Sequence, residues 1–221
     1  MARQYDPVSV TGWIFLMLLV VGANVAIQYV KRRTRATTAA GIAGDLGYVH
    51  REEAAEAPFL PFETLSRGTR RRTTNEISDP DDPSGARGFV FSSRIGRAND
   101  HDLAEHTCAL LVTGWDAPHV RLDREGSIGR LVRSLGVPDV ATGDPAFDAR
   151  WKVRCDRPEY ARELLHDRLR AWLTQLDDGW DSVEFEVGGD HLLAHVDGAH
   201  VERIPELIDL ARHFKAAAAP G

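Results

Sequence analysis

The chain of 221 residues carries 33 acidic and 27 basic side chains and a formal net charge of −6 at pH 7. This acidic balance argues against a general nucleic-acid-binding protein, which needs a concentrated positive surface. The only cysteines, Cys108 and Cys155, do not have the paired spacing of a zinc site.

An apolar run without charges, residues 10–30, is the strongest feature of the sequence. Four basic residues follow it directly: Lys31, Arg32, Arg33 and Arg35. At ~1.5 Å per residue, a helix of this length covers about 31 Å, which matches one hydrocarbon core. A nearly neutral start, a poor cleavage position at Asn24 and the basic residues after the run disfavour a cleaved signal peptide. We therefore predict an uncleaved transmembrane helix over residues 10–30.

The distribution of lysine and arginine predicts the orientation of this span. Cytoplasmic flanks of membrane helices hold the excess of positive charge, and here the excess follows the run. We expect residues 1–9 to be extracytoplasmic and the C-terminal part to be cytoplasmic, in a single-pass protein of the plasma membrane. In that compartment Cys108 and Cys155 should be reduced, and their apolar surroundings predict that both are buried.

Two polar residues, Asn24 and Gln28, share one face of the predicted span. Amides in hydrocarbon can hydrogen-bond to a partner helix, typically for about 0.6–2 kcal/mol. Alternatively, both lie close enough to the interface for water and headgroups to satisfy them. The second explanation is favoured because such interhelical bonds are weak, and both residues stay candidates for a partner contact.

After the span, helical spacing of alanines predicts a juxtamembrane helix over residues 31–46. Gly47 is expected to end it, as glycine ends many helices. Residues 47–221 are then predicted to form one cytoplasmic α+β domain, with a mainly antiparallel sheet and about three packed helices. Its first part, residues 52–61, is interpreted as a connector that docks Phe59, Leu60 and Phe62.

Alternating and helical patterns predict the remaining elements. The expected strands cover residues 69–77, 87–95, 105–113, 119–122, 147–155, 183–187 and 192–196. A polar turn joins the first two strands, residues 96–103 form a loop, and the last two strands form a hairpin that turns at residues 188–190. The expected helices cover residues 128–135, capped by Ser127, residues 158–173 and residues 204–214.

His191 and His195 stand four residues apart, a spacing that binds zinc on a helix. The zinc-protease form needs a glutamate after the first histidine, where this chain has Leu192. On the predicted strand the two histidines are about 13 Å apart, at ~3.3 Å per residue, too far for one metal ion. We therefore interpret both as residues of a solvent-facing sheet surface, with a metal site as the weaker alternative.

A loop with His101 and Asp102, close to Glu105 and His106, is a second weak candidate for metal binding. Loops rich in aspartate and asparagine are also simply turn-forming, and this interpretation is favoured. The sequence contains no nucleophile elbow, no phosphate-binding glycine loop and no cysteine with signs of activation. We therefore predict no cofactor and no enzyme activity.

A basic cluster stands around the start of the first predicted strand: Arg67, Arg70, Arg71 and Arg72. A cation near an anionic bilayer surface contributes about 1 kcal/mol, so a lipid contact is one interpretation. A solvated strand edge is the commoner explanation of such a run and is favoured.

Several short motifs resemble those of a group of uncharacterised single-pass membrane proteins of actinobacteria. They are a turn at Leu46-Gly47-Tyr48, a segment with Pro61-Phe62 and Arg67-Gly68, and a late stretch with Phe147, Asp148, Trp151, Val153, Asp156, Pro158, Ala161 and Leu164. The late stretch is also similar to a broader bacterial membrane-associated domain of unknown function. The resemblance implies an anchored cytoplasmic α+β domain and no reaction, because its motifs are packing and turn residues.

These observations leave three functional hypotheses. The first is a membrane-anchored, non-enzymatic interaction or scaffold domain. The second is an accessory subunit of a larger membrane protein complex, in which the transmembrane helix packs against partners. The third is a metal-binding or hydrolytic enzyme built around His191 and His195. The expected partners are the lipid bilayer and either other membrane proteins or further copies of this chain, and not nucleic acid.

Overall fold

The computed structural model describes residues 7–54, 62–95, 102–124 and 139–219. Its first element is one unbroken helix, α1, which begins at Pro7 and ends at Leu46. Gly47 follows with a φ of 72°, a left-handed conformation that glycine adopts readily after a helix. Within the described ranges, α1 is the one helix that is long and apolar enough to cross a membrane. The segments predicted as transmembrane and juxtamembrane helices are thus continuous.

The described residues contain six strands and five further α-helices. The strands are β1 (Val49–Glu53), β2 (Thr69–Ser78), β3 (Arg87–Ile95), β4 (Asp102–Arg124), β5 (Trp151–Cys155) and β6 (Glu184–Asp197). The helices are α2 (Glu63–Ser66), α3 (Pro145–Asp148), α4 (Pro158–Leu164), α5 (Asp167–Thr174) and α6 (Ile204–Ala218). Short 3-10 turns lie at Asp178–Trp180 and Val201–Arg203. The fold is α+β with an antiparallel sheet, as predicted.

The long strand β4 holds the sheet together. The strand order is β1-β2-β3-β4-β5, and β6 also pairs with β4. Residues 102–110 of β4 pair with β3, residues 120–124 pair with β5, and residues 106–123 pair with β6. All of these pairings are antiparallel. Because β3 pairs with the first part of β4 and β5 with its last part, β4 connects the two ends of the sheet.

The last turns of α1 belong to the domain. Ala39 and Ala43 are 0% and 1% exposed and lie in the main hydrophobic core. Arg35 reaches β4, where its guanidinium donates to the two carboxylate oxygens of Glu105 at 2.7 and 3.2 Å. In contrast, every side chain of residues 12–34 is exposed. The helix α1 is thus an exposed apolar helix in its first part and a core helix at its end.

The sheet separates two apolar clusters, because side chains alternate between its faces. On one face, Phe185 of β6 contacts Trp172 of α5 and Phe214 of α6, with ring centroids 6.3 and 4.8 Å apart. The opposite face carries a smaller cluster around α2. Its members are Phe62, Leu65, Phe89, Phe91, Cys108, Leu110 and Leu193. We call this second side of the sheet the α2 face.

The predicted hairpin over residues 183–196 is wrong. The residues expected as its turn lie inside the continuous strand β6, which pairs with β4 on both sides of them. The register between β4 and β6 shifts on each side of Ala117, which marks a bulge. Gly114 in β4 and Gly189 in β6 have φ values of 79° and 58° in this region. The glycines allow two long strands to bend together, so the chain does not reverse.

Three other predictions need correction. The strands predicted over residues 105–113 and 119–122 are parts of β4, which continues through the same bend. Phe147 begins no strand: it lies in α3, because Asp144 caps that helix by accepting from the N–H groups of Ala146 and Phe147. The helix predicted over residues 158–173 is divided into α4 and α5 at Leu165, whose carbonyl accepts from Arg170 at 2.8 Å.

Of the other predicted elements, some are confirmed, one has different bounds and some lie outside the described residues. The strands predicted over residues 69–77 and 87–95 are β2 and β3, and the last predicted helix is α6. Residues 52 and 53 of the predicted connector belong instead to β1, whose sequence VHREE has no apolar alternation. Phe62 is buried as predicted. Phe59, Leu60 and the helix predicted over residues 128–135 lie outside the described residues.

Replacing Ala39 with leucine should lower the free energy of unfolding by about 1–3 kcal/mol, because extra atoms at a fully buried position force the core to repack. The measurement is denaturant unfolding of the full chain in detergent micelles, followed by tryptophan fluorescence. Ala40→Leu is the matched control, since Ala40 is the next residue of α1 and is exposed. It should change stability by less than about 0.5 kcal/mol. Equal effects at both positions would contradict the docking of α1 in the core.

Candidate functional site

A cluster of buried charges lies on the α2 face, where β4 and β6 pair. Arg121 of β4 stands opposite Glu186 of β6, and Asp123 stands opposite Glu184. Arg121, Glu184 and Glu186 are 3%, 1% and 0% exposed, and His195 is 1% exposed. We call these five residues the ionic cluster. Charged side chains are rarely buried unless they are paired, so their contacts decide what the cluster can do.

Arg121 is the centre of the ionic cluster. Its guanidinium donates to Asp123 at 2.7 Å, to Glu184 at 2.5 Å and to Glu63 of α2 at 3.0 Å. Glu186 lies 3.5 Å from the same guanidinium. Burial acts to lower the pKa of Arg121, but the surrounding carboxylates outweigh burial and hold that pKa above its usual value. Arg121 therefore stays charged and serves four carboxylates at once.

Glu186 attaches α2 to the sheet. Its carboxylate accepts the backbone N–H groups of Glu63 and Thr64 at 2.6 and 3.0 Å, which have no partner inside the short helix. His119 approaches the same carboxylate at 2.9 Å. Burial acts to raise the pKa of Glu186, but hydrogen bonds from His119 and His195 outweigh it and hold that pKa well below its usual value of 4.5.

His195 and Thr64 share one feature with a catalytic triad but lack its geometry. His195 Nε2 lies 3.0 Å from Thr64 Oγ1, and 3.5 Å from both Glu184 and Glu186. In a triad, the acid holds the ring nitrogen opposite to the one that faces the nucleophile. In this protein Nε2 faces both the Thr64 hydroxyl and the two carboxylates. The other ring nitrogen, Nδ1, is buried and has no hydrogen-bond partner across the described ranges. The pair is therefore not arranged for nucleophilic catalysis.

A pocket of about 420 Å³ lies beside the ionic cluster. Buried side chains of Arg121, Glu184 and His195 line it, together with the exposed side chains of Ile95 and Leu103. Its volume is that of a small-molecule site. Because its walls carry charges of both signs and apolar groups, the lining does not select one class of ligand.

The ionic cluster positions α2 more than it stabilises the fold. A buried ion pair is often nearly neutral for stability compared with apolar residues of the same volume, whereas removal of one partner is strongly destabilising. The helix α2 spans Glu63–Ser66, far too short to be stable alone. Glu186 fixes its first turn, and Phe62 and Leu65 hold it on the smaller apolar cluster. Together they give α2 one defined place on the sheet.

The structure does not bring His191 and His195 together. His191 Nδ1 lies 2.5 Å from Asp190, whereas His195 belongs to the ionic cluster. The prediction that both histidines face solvent is wrong for His195, because α2 covers that part of the sheet. Among the residues that the structure describes, no three histidine, cysteine or carboxylate side chains are grouped to hold a metal ion.

The other metal candidate and the polar residues of the span stay predictions. His101 lies outside the described residues, and for Asp102 only the backbone is described, paired with Ile95. Asn24 and Gln28 are exposed on α1, which agrees with either explanation of their role.

The predicted basic cluster is divided among different environments. Arg67 pairs with Glu63 and lines the pocket. Arg71 donates to the Leu65 carbonyl at 3.3 Å, and Arg72 pairs with Glu53. Arg70 is exposed, with a φ of 52° at a bulge in β2. The four arginines therefore do not act as one patch, and their contact with lipid stays a prediction.

Sequence reasoning missed the ionic cluster because each strand alone looks solvent-facing on that side. In β6, Glu184 and Glu186 alternate with apolar residues, and in β4, His119, Arg121 and Asp123 do the same. That is the ordinary pattern of a sheet with one wet face. The available signal is charge complementarity between the two segments, and it becomes visible only when the two strands are known to pair.

No protein-family model matches the chain, and no curated protein matches it. Among solved structures, the crystal structure of the mycobacterial trehalose monomycolate transport factor A, TtfA, is similar to this chain. The TM-score is 0.53 at 14% sequence identity, and the match covers 84% of this chain and 92% of TtfA. The two chains therefore share a fold. The mycobacterial source of TtfA agrees with the actinobacterial resemblance of the sequence motifs, but membership of a common family is not shown.

Replacing Arg121 with methionine should lower the free energy of unfolding by about 3–5 kcal/mol, because Glu184 and Glu186 would stay buried without their cation. Denaturant unfolding of the full chain in micelles measures this loss. Arg94→Met is the control, since Arg94 is exposed, and it should cost less than about 0.5 kcal/mol. Adding Glu184→Gln to Arg121→Met should recover part of the loss; a further decrease would contradict the charge argument.

The contribution of Glu186 should depend on pH. Its pKa in the folded protein lies below 4.5, so on acidification the unfolded chain binds the proton first. The stabilisation is complete above about pH 4.5 and is lost as the pH falls from there towards the folded pKa. The difference in unfolding free energy between the wild-type protein and Glu186→Gln should therefore shrink below about pH 4.5. Unfolding curves measured from neutral pH to about pH 3 test this, and a constant difference would contradict it.

Proposed function

We propose that this chain is a membrane-anchored, non-enzymatic accessory protein of a membrane transport assembly, with its α+β domain as the interaction module. The observation that carries the proposal is the fold shared with TtfA, a transport factor, over most of both chains. Because a fold alone does not determine a function, the anchoring helix and the chemistry of the ionic cluster must agree with this role.

The helix α1 supports a membrane mount for the domain. Its apolar stretch is exposed along its length, which is unfavourable in water and ordinary in a bilayer. The same helix enters the core through Ala39 and Ala43. The domain is therefore held at a fixed distance from the apolar stretch, which suits a module that meets partners of the same membrane. The basic flank after the span favours a cytoplasmic domain.

The ionic cluster supports a non-enzymatic role. Its charges are engaged with one another and with the start of α2. His195 faces Thr64 with the nitrogen that also faces the carboxylates, so it lacks the orientation that a general base needs. The cluster acts on the placement of α2, and a role in chemistry around His191 and His195 is the weaker alternative.

A second candidate function places the binding surface in the span itself. Asn24 and Gln28 are exposed on one face of α1, where amides can pair with a neighbouring helix. In this role the chain is an accessory subunit whose transmembrane helix packs against a partner, and the domain is secondary.

The test is purification of the full chain from membranes in mild detergent, with sizing and identification of the proteins that co-elute. We expect a stoichiometric complex with a membrane transport protein. A monomer in every mild detergent would overturn both candidates. A complex that contains only copies of this chain would overturn the transport assembly.

Variants of the span separate the two candidates. Asn24→Leu combined with Gln28→Leu removes the polar face, and Phe15→Leu combined with Leu19→Val is the matched control on the opposite side of α1. Loss of the partner in the first pair alone assigns the contact to the span. Retention of the partner in both pairs assigns it to the domain.

A further inference from the structure

The strand directions identify which end of the domain faces the bilayer. After the turn at Gly47, β1 runs back along α1, so that Glu53 reaches Arg32 at 3.2 Å. Because β1 to β4 pair antiparallel in sequence order, β2 and β4 run away from the bilayer and β3 runs towards it. The start of β2, the end of β3 and the start of β4 therefore lie where α1 leaves its apolar stretch.

The ion pair between Arg35 and Glu105 sets the height of this end. Arg35 lies about 7.5 Å beyond Val30 along α1, at ~1.5 Å per residue. Leu103 precedes Glu105 in β4 and lies about 7 Å nearer the bilayer along the strand, at ~3.3 Å per residue. Leu103 is paired with Arg94 of β3, and Arg94 with the first residue of β2. This row of residues therefore lies on the bilayer side of the ion pair between Arg35 and Glu105, near the end of the apolar stretch.

Exposed apolar side chains and unpaired cations meet in this row. Ile95 and Leu103 are 36% and 59% exposed. Arg70 and Arg94 are exposed and form no ion pair in the described part of the chain. We call these four residues the membrane-facing rim. Lys31 and Arg33 on α1, also exposed and without an ion pair in the described ranges, add positive charge at the same level, and the exposed Glu52 opposes them.

We propose that the membrane-facing rim is a second membrane contact, which rests on anionic phospholipid headgroups beside the exit of α1. Arg70 and Arg94 bind lipid phosphates, and Ile95 and Leu103 enter the boundary between headgroups and acyl chains. Cations next to exposed aliphatic side chains are the composition of interfacial protein surfaces. The rim shares only Arg70 with the basic cluster predicted from the sequence. Arg67 turns to Glu63 and the pocket, and the other three rim residues come from β3 and β4.

Lipid is favoured over a protein as the occupant because the rim lies at the end of the domain where α1 leaves its apolar stretch. Arg72 and Arg32 both pair with Glu53, which attaches β2 to α1. A surface tethered next to the bilayer meets lipid at a high effective concentration before any partner arrives. The contact therefore needs only weak individual interactions.

The test uses the full chain in vesicles, with a polarity-sensitive fluorophore on Leu103→Cys and a headgroup-level quencher on the lipid. Cys108 and Cys155 are 0% and 4% exposed, and burial raises the pKa of the Cys108 thiol well above its usual value of 9.0, so the added cysteine reacts selectively. Asp81→Cys is the matched control, since Asp81 is exposed in the turn between β2 and β3 at the opposite end of the strands.

In vesicles that contain anionic phospholipid, we expect a blue shift and quenching at position 103 and neither at position 81. Salt should reverse both, because the Debye length falls from about 10 Å at 0.1 M to about 3 Å at 1 M. Quenching at position 103 that does not exceed that at position 81 would overturn the contact. Equal quenching in purely zwitterionic vesicles would overturn its dependence on anionic headgroups.

Charge variants of the rim provide the second measurement. Arg70→Gln combined with Arg94→Gln should lower the ratio of docked to undocked domain about fivefold per cation, and roughly 25-fold for the pair. Arg162→Gln combined with Arg168→Gln is the control, because these arginines are exposed on α4 and α5. An effect of the same size in the control, or none in the rim pair, would contradict the proposal. Unfolding curves of both pairs verify that the fold is retained.

Discussion

The packing of the last turns of α1 into the main core is the constraint on which the rest of the structure depends. The apolar part of this helix is more favourable in hydrocarbon than in water. Ala39 and Ala43, near its end, are buried in the core of the domain. Since no break separates the two parts, the apolar stretch and the core share one continuous helix. The ion pair of Arg35 with Glu105 extends this coupling to β4, the strand that pairs with three others. The orientation of the sheet relative to the apolar stretch of α1 follows from these contacts.

Different interactions hold the helices on the two faces of the sheet. On one face, α5 and α6 cover aromatic residues such as Phe185, and apolar burial is the main contribution. On the α2 face, a four-residue helix cannot bury enough apolar surface to define its own position. Charges on β4 and β6 supply the missing definition, because Glu186 accepts two backbone N–H groups at the start of α2. Directional hydrogen bonds therefore replace area as the source of specificity.

The sequence predicts the elements that have a local signature. The span, β2, β3 and α6 carry long, regular patterns, and the structure contains all four as helices or strands. The bend at Gly114 and Gly189 could not be predicted, because glycines within a strand and glycines in a turn look alike until the partner strand is known. The same limit hides the ionic cluster: Arg121 and Glu186 come from strands far apart in sequence, and their burial depends on α2 covering them. For this reason the sequence alone predicts that His195 faces solvent, whereas the side chain is buried.

The unbroken helix also fixes the direction around its axis in which the domain lies relative to the polar side of the apolar stretch. At 3.6 residues per turn, Gln28 and Ala39 are separated by about three full turns and 20°, and Asn24 is turned by about 60° from Ala39. The polar side of the apolar stretch and the side that enters the core therefore point in nearly the same direction. A helix that paired with Asn24 and Gln28 inside the bilayer would stand directly over the domain and would meet it on leaving the hydrocarbon. One residue inserted between Gln28 and Ala39 would rotate the domain by about 100° around α1, so the length of this junction sets the direction in which the domain faces.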